Sequence, residues 1–216
     1  MQVMGKKPNG KSQINSNMKY PHVTNVSKIT LLGALSAGIL TARADEPFFQ
    51  ASLTPDIAIY PRSTEIEGFA INIWGENPQH SLNLGFLNGS TGNSGGVSLG
   101  LVNYSDAYTG VMFGLANVSQ REFTGLQGGF VNYSQESLSG VQYGFLNVAQ
   151  GECVGAQVGG VNYAEEFHGL QLGLVNCAEN LRGLQIGFVN VALNNSWFDE
   201  FPDKLATAFP IVNWSF

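Results

Sequence analysis

The chain has 216 residues, 44% apolar and only 12% charged, with 27 glycines and a formal charge of −6. Low charge at that apolar content excludes a disordered chain, and the composition fits neither collagen nor a disulfide scaffold built on two cysteines. The charge is unevenly divided: residues 1–44 carry +6 with no acid, and residues 45–216 carry −12, which argues against a nucleic-acid partner, since that needs a basic stripe.

Ile29–Leu40 is a run of apolar and small residues, preceded by Lys19 and Lys28 and followed by Ala42-Arg43-Ala44. A basic stretch, a short apolar run and a small-x-small site together make a secretory signal peptide over residues 1–44, leaving Asp45 first in the mature chain. The run is too short for a membrane span, which needs about 20 apolar residues. Met18 is an alternative start that gives the signal an ordinary length. Leu35-Ser-Ala-Gly38 resembles the start of a lipobox, but Ile39 stands where the lipidated cysteine belongs, so no lipid anchor is expected. Residues 45–67 read as a lead strand or cap, and Phe48–Tyr60 contains its strand.

Residues 68–192 are one unit copied. Asn88, Asn103, Asn117, Asn132, Asn147, Asn162, Asn176 and Asn190 recur at gaps of 14 or 15 residues, each with a glycine three residues before it. A second glycine opens most copies, from Gly96 to Gly183. The cleanest copy is Gly183-Leu-Gln-Ile-Gly-Phe-Val-Asn-Val-Ala192, and Gly68-Phe-Ala-Ile-Asn-Ile-Trp74 is a degenerate one. Within a copy, apolar residues alternate with Gln and Gly at period two, which is strand patterning, and a short polar turn follows. Residues 193–216 hold an interruption, Trp197-Phe-Asp-Glu-Phe-Pro202, then a last degenerate copy, Ile211-Val-Asn-Trp-Ser215. The interruption is expected to cap the final rung.

The fold class is therefore all-β, and two architectures compete. A parallel β-solenoid stacks equal positions about 4.8 Å apart, so the repeated asparagines would form an inward ladder that satisfies its own amides. An outer-membrane up-and-down barrel reverses alternate strands. The solenoid is favoured because the repeat is one strand long. Moreover, the apolar stripe is only about 16 Å long, short of the ~25 Å band that lipid requires. Phe188 and Val189, adjacent and both apolar, are expected to face a core across a bend. The barrel is supported by the alternating, aromatic C-terminus Val212, Trp214, Phe216.

These units, a Gly-Leu-Gln restart followed by Gly-Phe-Val-Asn-Val-Ala, resemble a bacterial exported surface-repeat family built of tandem Gly-Leu-Gln-x-Gly-Leu-x-Asn motifs. The resemblance covers about residues 65–216. It implies an envelope or surface location and brings no catalytic activity and no assigned functional residues.

Chemistry-bearing residues are sparse. His80 and His168 are far apart in sequence, and His168 sits in a turn beside Glu165 and Glu166. No metalloprotease, phosphate-loop or nucleophile-elbow motif is present. No catalytic, cofactor-binding or metal-binding residue is assigned and no cofactor is expected. Cys153 and Cys177 occupy different columns of the repeat, Cys177 as a small buried residue, and their pairing is left open. Acids gather in the turns, for example Glu122, Glu136, Glu152 and Glu179, as a solvated rim. The sequence thus predicts a non-enzymatic exported protein with a structural or adhesive role, its partner an envelope or surface component or the outer membrane. The alternative is an integral outer-membrane barrel serving as a pore or envelope component.

Overall fold

A computed structural model describes residues 47–216. Strand β1 (Phe49–Thr54) pairs with the short β2 (Ile57–Ala58), and β3 (Phe69–Asn77), β4 (His80–Ser119), β5 (Glu122–Ser134), β6 (Ser137–Ala192) and β7 (Ala208–Ser215) follow. All belong to one sheet in the order β2-β1-β3-β4-β5-β6-β7. β2 pairs antiparallel with β1, and pairing is parallel along β1, β3, β4, β5 and β6. The register is the repeat itself: Gly110 pairs with Gly125, Gly125 with Gly140, Asn117 with Asn132 and Asn132 with Asn147. The long strands β4 and β6 run through several turns of the coil without interruption. The fold is a parallel β-solenoid with one repeat per coil. Parallel neighbours overturn the barrel alternative, which requires every strand to reverse its predecessor.

Two side-chain ladders hold the interior. Along the first, Asn88 donates through Nδ2 to Asn103 Oδ1 (3.0 Å), Asn103 to Asn117 (2.8 Å), and the chain continues through Asn132, Asn147, Asn162 and Asn176 to Asn190 (2.7 Å). Each amide has a second acceptor, a backbone carbonyl of the next rung, such as Phe113 for Asn103 and Val158 for Asn147. The amide groups are thus satisfied without water, as buried polar groups must be. The glycine three residues before each asparagine supplies the room: a Cβ on Gly144 would lie 2.0 Å from Gly129 O and 2.6 Å from Asn132 Nδ2.

The degenerate rung of β3 keeps this arrangement with the two residues exchanged. Asn72 pairs with Gly85 and Gly75 with Asn88. Asn72 reaches back into the ladder, donating to Asn88 Oδ1 at 3.2 Å, and Gly75 vacates the space its amide fills. Asn-x-x-Gly here does the work of Gly-x-x-Asn elsewhere.

The second ladder was not anticipated. Gln127, Gln142, Gln157, Gln171 and Gln185 are all fully buried. The four from Gln142 onward each donate through Nε2 to the Oε1 of the preceding rung at 2.7–2.9 Å and also to a backbone carbonyl such as Tyr163 or Val191. Gln donors point toward the N-terminal rungs and Asn donors toward the C-terminal rungs, so the two rows of amide dipoles oppose one another. The Gln ladder stops at Gln127 because the same position one rung earlier is the buried Met112, leaving Gln127 Nε2 with no partner. A buried orphan amide costs about 1–3 kcal/mol. Met112→Gln fills the same volume and supplies the missing acceptor. It is expected to raise the melting temperature by a few degrees, for a gain of about 1 kcal/mol. Thermal denaturation giving an unchanged or lower midpoint would contradict this account.

Two further inward columns complete the packing. Two residues before the opening glycine stand Tyr108, Phe123, Leu138, Cys153, Phe167 and Leu181; two residues after each Asn stand small residues such as Ala149, Ala164 and Ala178. The Tyr108 and Phe123 rings stack at 6.0 Å and 9°. The earlier rungs carry Gln79, Ser94 and Ser90 in these interior places and Ser98 in the glutamine column, with the apolar Ile66 beside them, so the core is more polar toward the N-terminal end and more apolar toward the C-terminal end.

Both ends of the stack are closed. Gln50 in β1 donates to Tyr60 O and to Asn77 Oδ1, and accepts from the Tyr60 backbone N–H. At the other end β7 runs antiparallel to β6, pairing Gly183 with Ser215 and Leu184 with Trp214. This corrects the reading of Ile211–Ser215 as another repeat. Asn213 is not the next ladder member but bonds both ways with Ala206. Phe209 O instead accepts from Asn190, the ladder's last amide. Leu205 and Ala206 are buried over the final rung. Trp74, the last residue of the degenerate copy from Gly68, is in register, paired with Leu87. The signal segment lies outside the described residues.

Candidate interaction surface

The inward columns consume the Gln, Asn, Gly and small positions of each copy, so the large apolar residues of the strand face out. Leu115 is 62% exposed, Phe145 54% and Phe188 77%. This overturns the expectation that Phe188 and Val189 face a core: the bend between them turns both side chains outward, and Val189 is exposed as well. The physical reason is the size of the coil. A turn of 14 or 15 residues encloses few side chains per rung, and those places are taken by residues that bond or stack with their own copies above and below.

The outward residues align across rungs. One column, the fifth residue after the opening glycine, runs Leu53, Ile73, Phe86, Leu101, Leu115, Phe130 and Phe145 and resumes at Leu174 and Phe188. Neighbouring columns on the first, third and sixth residues are also apolar, with Phe49, Ile71, Leu99, Phe113 and Ile186 exposed among them. No Asp, Glu, Lys or Arg falls in any of these four columns. The result is an apolar wall of the first, third and fifth columns along the length of the solenoid, with the sixth column continuing it around the bend, and it exceeds the few hundred Å² that a soluble monomer ordinarily leaves open.

The wall is also level. Gly128 and Gly160 occupy two of its outward positions, and the ring of the preceding rung lies over each: a Cβ on Gly128 would meet Phe113 at 2.1 Å, and one on Gly160 would meet Phe145 at 2.9 Å. Phe130 and Phe145 stack at 5.1 Å and 7°. At the C-terminal end Leu172, Leu174, Ile186, Phe188 and Ile211 border a shallow apolar hollow.

Charge sits on other sides of the coil. Asp106, Glu122, Glu136, Glu152, Glu165 and Glu179 all lie in the segments between the small interior residue and the next opening glycine. His80 and His168 stand there too, half-exposed and each near one acid: His80 Nε2 is 3.4 Å from Glu65, and His168 Nδ1 is 3.9 Å from Glu152. Among the described residues no group of three His, Cys, Asp or Glu side chains is placed to hold a metal. Tyr104 accepts from Trp74 Nε1 at 2.9 Å and donates to Glu76 at 2.8 Å. Burial, with the Glu76 carboxylate, pushes its hydroxyl up to about 12. Tyr163 is pushed to a similar value, chiefly by its hydrogen bond to Glu179. Both are uncharged tethers.

Cys153 and Cys177 are free thiols. Cys153 points into the core, where burial pushes its thiol up to about 12. Cys177 occupies an outward column and is half-buried rather than buried, and burial, then Glu179, raises its thiol. One points in and the other out, so the repeat itself keeps them apart. The chain matches no known protein family, no curated protein and no solved structure.

Proposed function

We propose that this chain is a non-enzymatic, exported repeat protein of the bacterial envelope or cell surface, with a structural or adhesive role carried by the apolar wall. The observation that carries the reading is the separation of surfaces: the first, third and fifth columns turn large apolar side chains outward with no charged residue among them, and most of the acids lie in the turns. A scaffold held by two amide ladders presents that wall as a rigid, repetitive face, which suits binding by area rather than catalysis in a cleft. The basic and apolar segment before Asp45 supports export, and the repeat's resemblance to exported surface-repeat proteins agrees with it. Fractionation of producing cells tests the proposal. The expected result is a chain beginning at Asp45, found with the envelope and cleaved by protease added to intact cells. A full-length chain retained in the cytoplasm would overturn it.

A further inference from the structure

We propose that the apolar wall is covered by the same wall of a second copy of this chain, giving a two-fold dimer with two sheets packed face to face. The inference rests on reading the wall as the working surface and goes on to name its occupant. Area is the first argument. About ten rungs at ~4.8 Å and five residues at ~3.3 Å make a footprint of roughly 750 Å² per copy. The pair thus covers about 1,500 Å², the size of a standard stable interface. Shape is the second. Sheets pack about 10 Å apart when their facing side chains form an even layer, and Phe113 and Phe145 level the wall by covering Gly128 and Gly160.

Charge is the third argument, and it selects a second copy over lipid. Residues 47–216 carry four Lys/Arg against fourteen Asp/Glu. Surfaces that lie in a bilayer interface flank their apolar face with cations that meet anionic headgroups; this chain would bring acids instead. In a wall-to-wall pair no charge is buried, because none lies in the wall columns, and the acidic turns of both copies stay in water. A self-complementary contact needs a surface that matches itself under a two-fold axis, and a level, uncharged wall does.

Any two-fold arrangement that covers the whole wall brings its centre against its own copy, and Leu115 lies near that centre. Sedimentation equilibrium of the full chain is expected to show a dimer. Leu115→Glu places a carboxylate in the covered layer close to its twin, which weakens the dimer by at least ~100-fold. Gln120→Glu adds the same charge on an exposed turn and leaves the dimer intact. Should Leu115→Glu fail to fold by circular dichroism, the uncharged outward change Phe145→Gln is read in its place, with a smaller weakening expected. A wild-type chain monomeric at about 100 μM, far above the Kd of a standard interface, would overturn the proposal. So would a dimer indifferent to both wall variants, or a monomer that sediments with neutral phosphatidylcholine vesicles, which would make lipid the occupant. Failure of this test leaves the envelope fractionation to be read on its own, and a cytoplasmic chain would leave the dimer standing.

Discussion

Gly155→Ala is expected to destabilise the solenoid by at least ~3 kcal/mol and to split its unfolding into two transitions. Gly155 has φ of +138°, a conformation open almost only to glycine, and a Cβ there would lie 1.9 Å from the carbonyl oxygen of Gly140. That contact is with backbone of the rung below, so no side-chain rotation relieves it. The rungs would have to separate locally, lengthening the Asn147–Asn162 and Gln142–Gln157 bonds that span the same gap. Solenoid stability is close to a sum of rung and neighbour terms, so losing one neighbour term leaves two shorter stacks joined by a weak step. The C-terminal stack keeps its β7 cap and the apolar core of Phe167 and Leu181. The N-terminal stack keeps the more polar interior and should melt first. Urea unfolding followed by circular dichroism checks this. A single transition within a few tenths of a kcal/mol of the parent would show that the rungs can absorb the methyl group.

The backbone path was legible in the sequence because one argument was available at every copy. Equal asparagines at gaps of 14 or 15 residues can form a ladder of amides on one another only if the rungs are parallel. The same argument applies to Gln127, Gln142, Gln157, Gln171 and Gln185, and applying it to them would have placed that column inside too. Period-two alternation says that Gln185 and Ile186 face opposite ways but not which of them faces in. The usual preference for apolar interiors answers wrongly here, since a stacked column of amides loses no hydrogen bond on burial while a 14-residue coil has no room for Phe188. The reversal of β7 was not legible either. Val-Asn-Trp-Ser matches Val-Asn-Tyr-Ser at three of four residues, with an aromatic at the fourth, and strand direction comes from the excursion through residues 193–207 that carries the chain back across the end of the stack. The wall followed from the misplaced interior: once Gln is inside, the apolar columns have nowhere to go but out.

Asn147→Asp is expected to make stability strongly pH-dependent, because the ladder has a fixed direction. Asn147 Oδ1 accepts from Asn132 at 2.9 Å, and its Nδ2 donates to Asn162 Oδ1 at 2.8 Å and to Val158 O at 3.1 Å. An aspartate keeps the acceptor but sets a second oxygen against two others in a site closed to water. Turning the Asn162 amide round to compensate would break its bond to Leu172 O and leave the next amide facing the same conflict. The carboxyl therefore holds its proton in the folded chain, donating one bond, while the unfolded chain releases it near a pKa of about 3.9. The sign follows: with the folded value raised, the variant comes closest to the parent below about pH 4 and loses stability as pH rises, at about 1.4 kcal/mol per unit, until the folded group ionises. At pH 7 the loss relative to the parent reaches ~4 kcal/mol if the proton is still held. Asn147→Leu removes all three bonds with no titrating group and should be destabilised by a similar amount at every pH. Paired unfolding curves of the two variants and the parent at pH 4 and pH 7 separate the cases. A pH-independent Asn147→Asp would mean that the carboxylate reaches solvent and that the asparagine ladder is not the dry interior column on which the parallel stack depends.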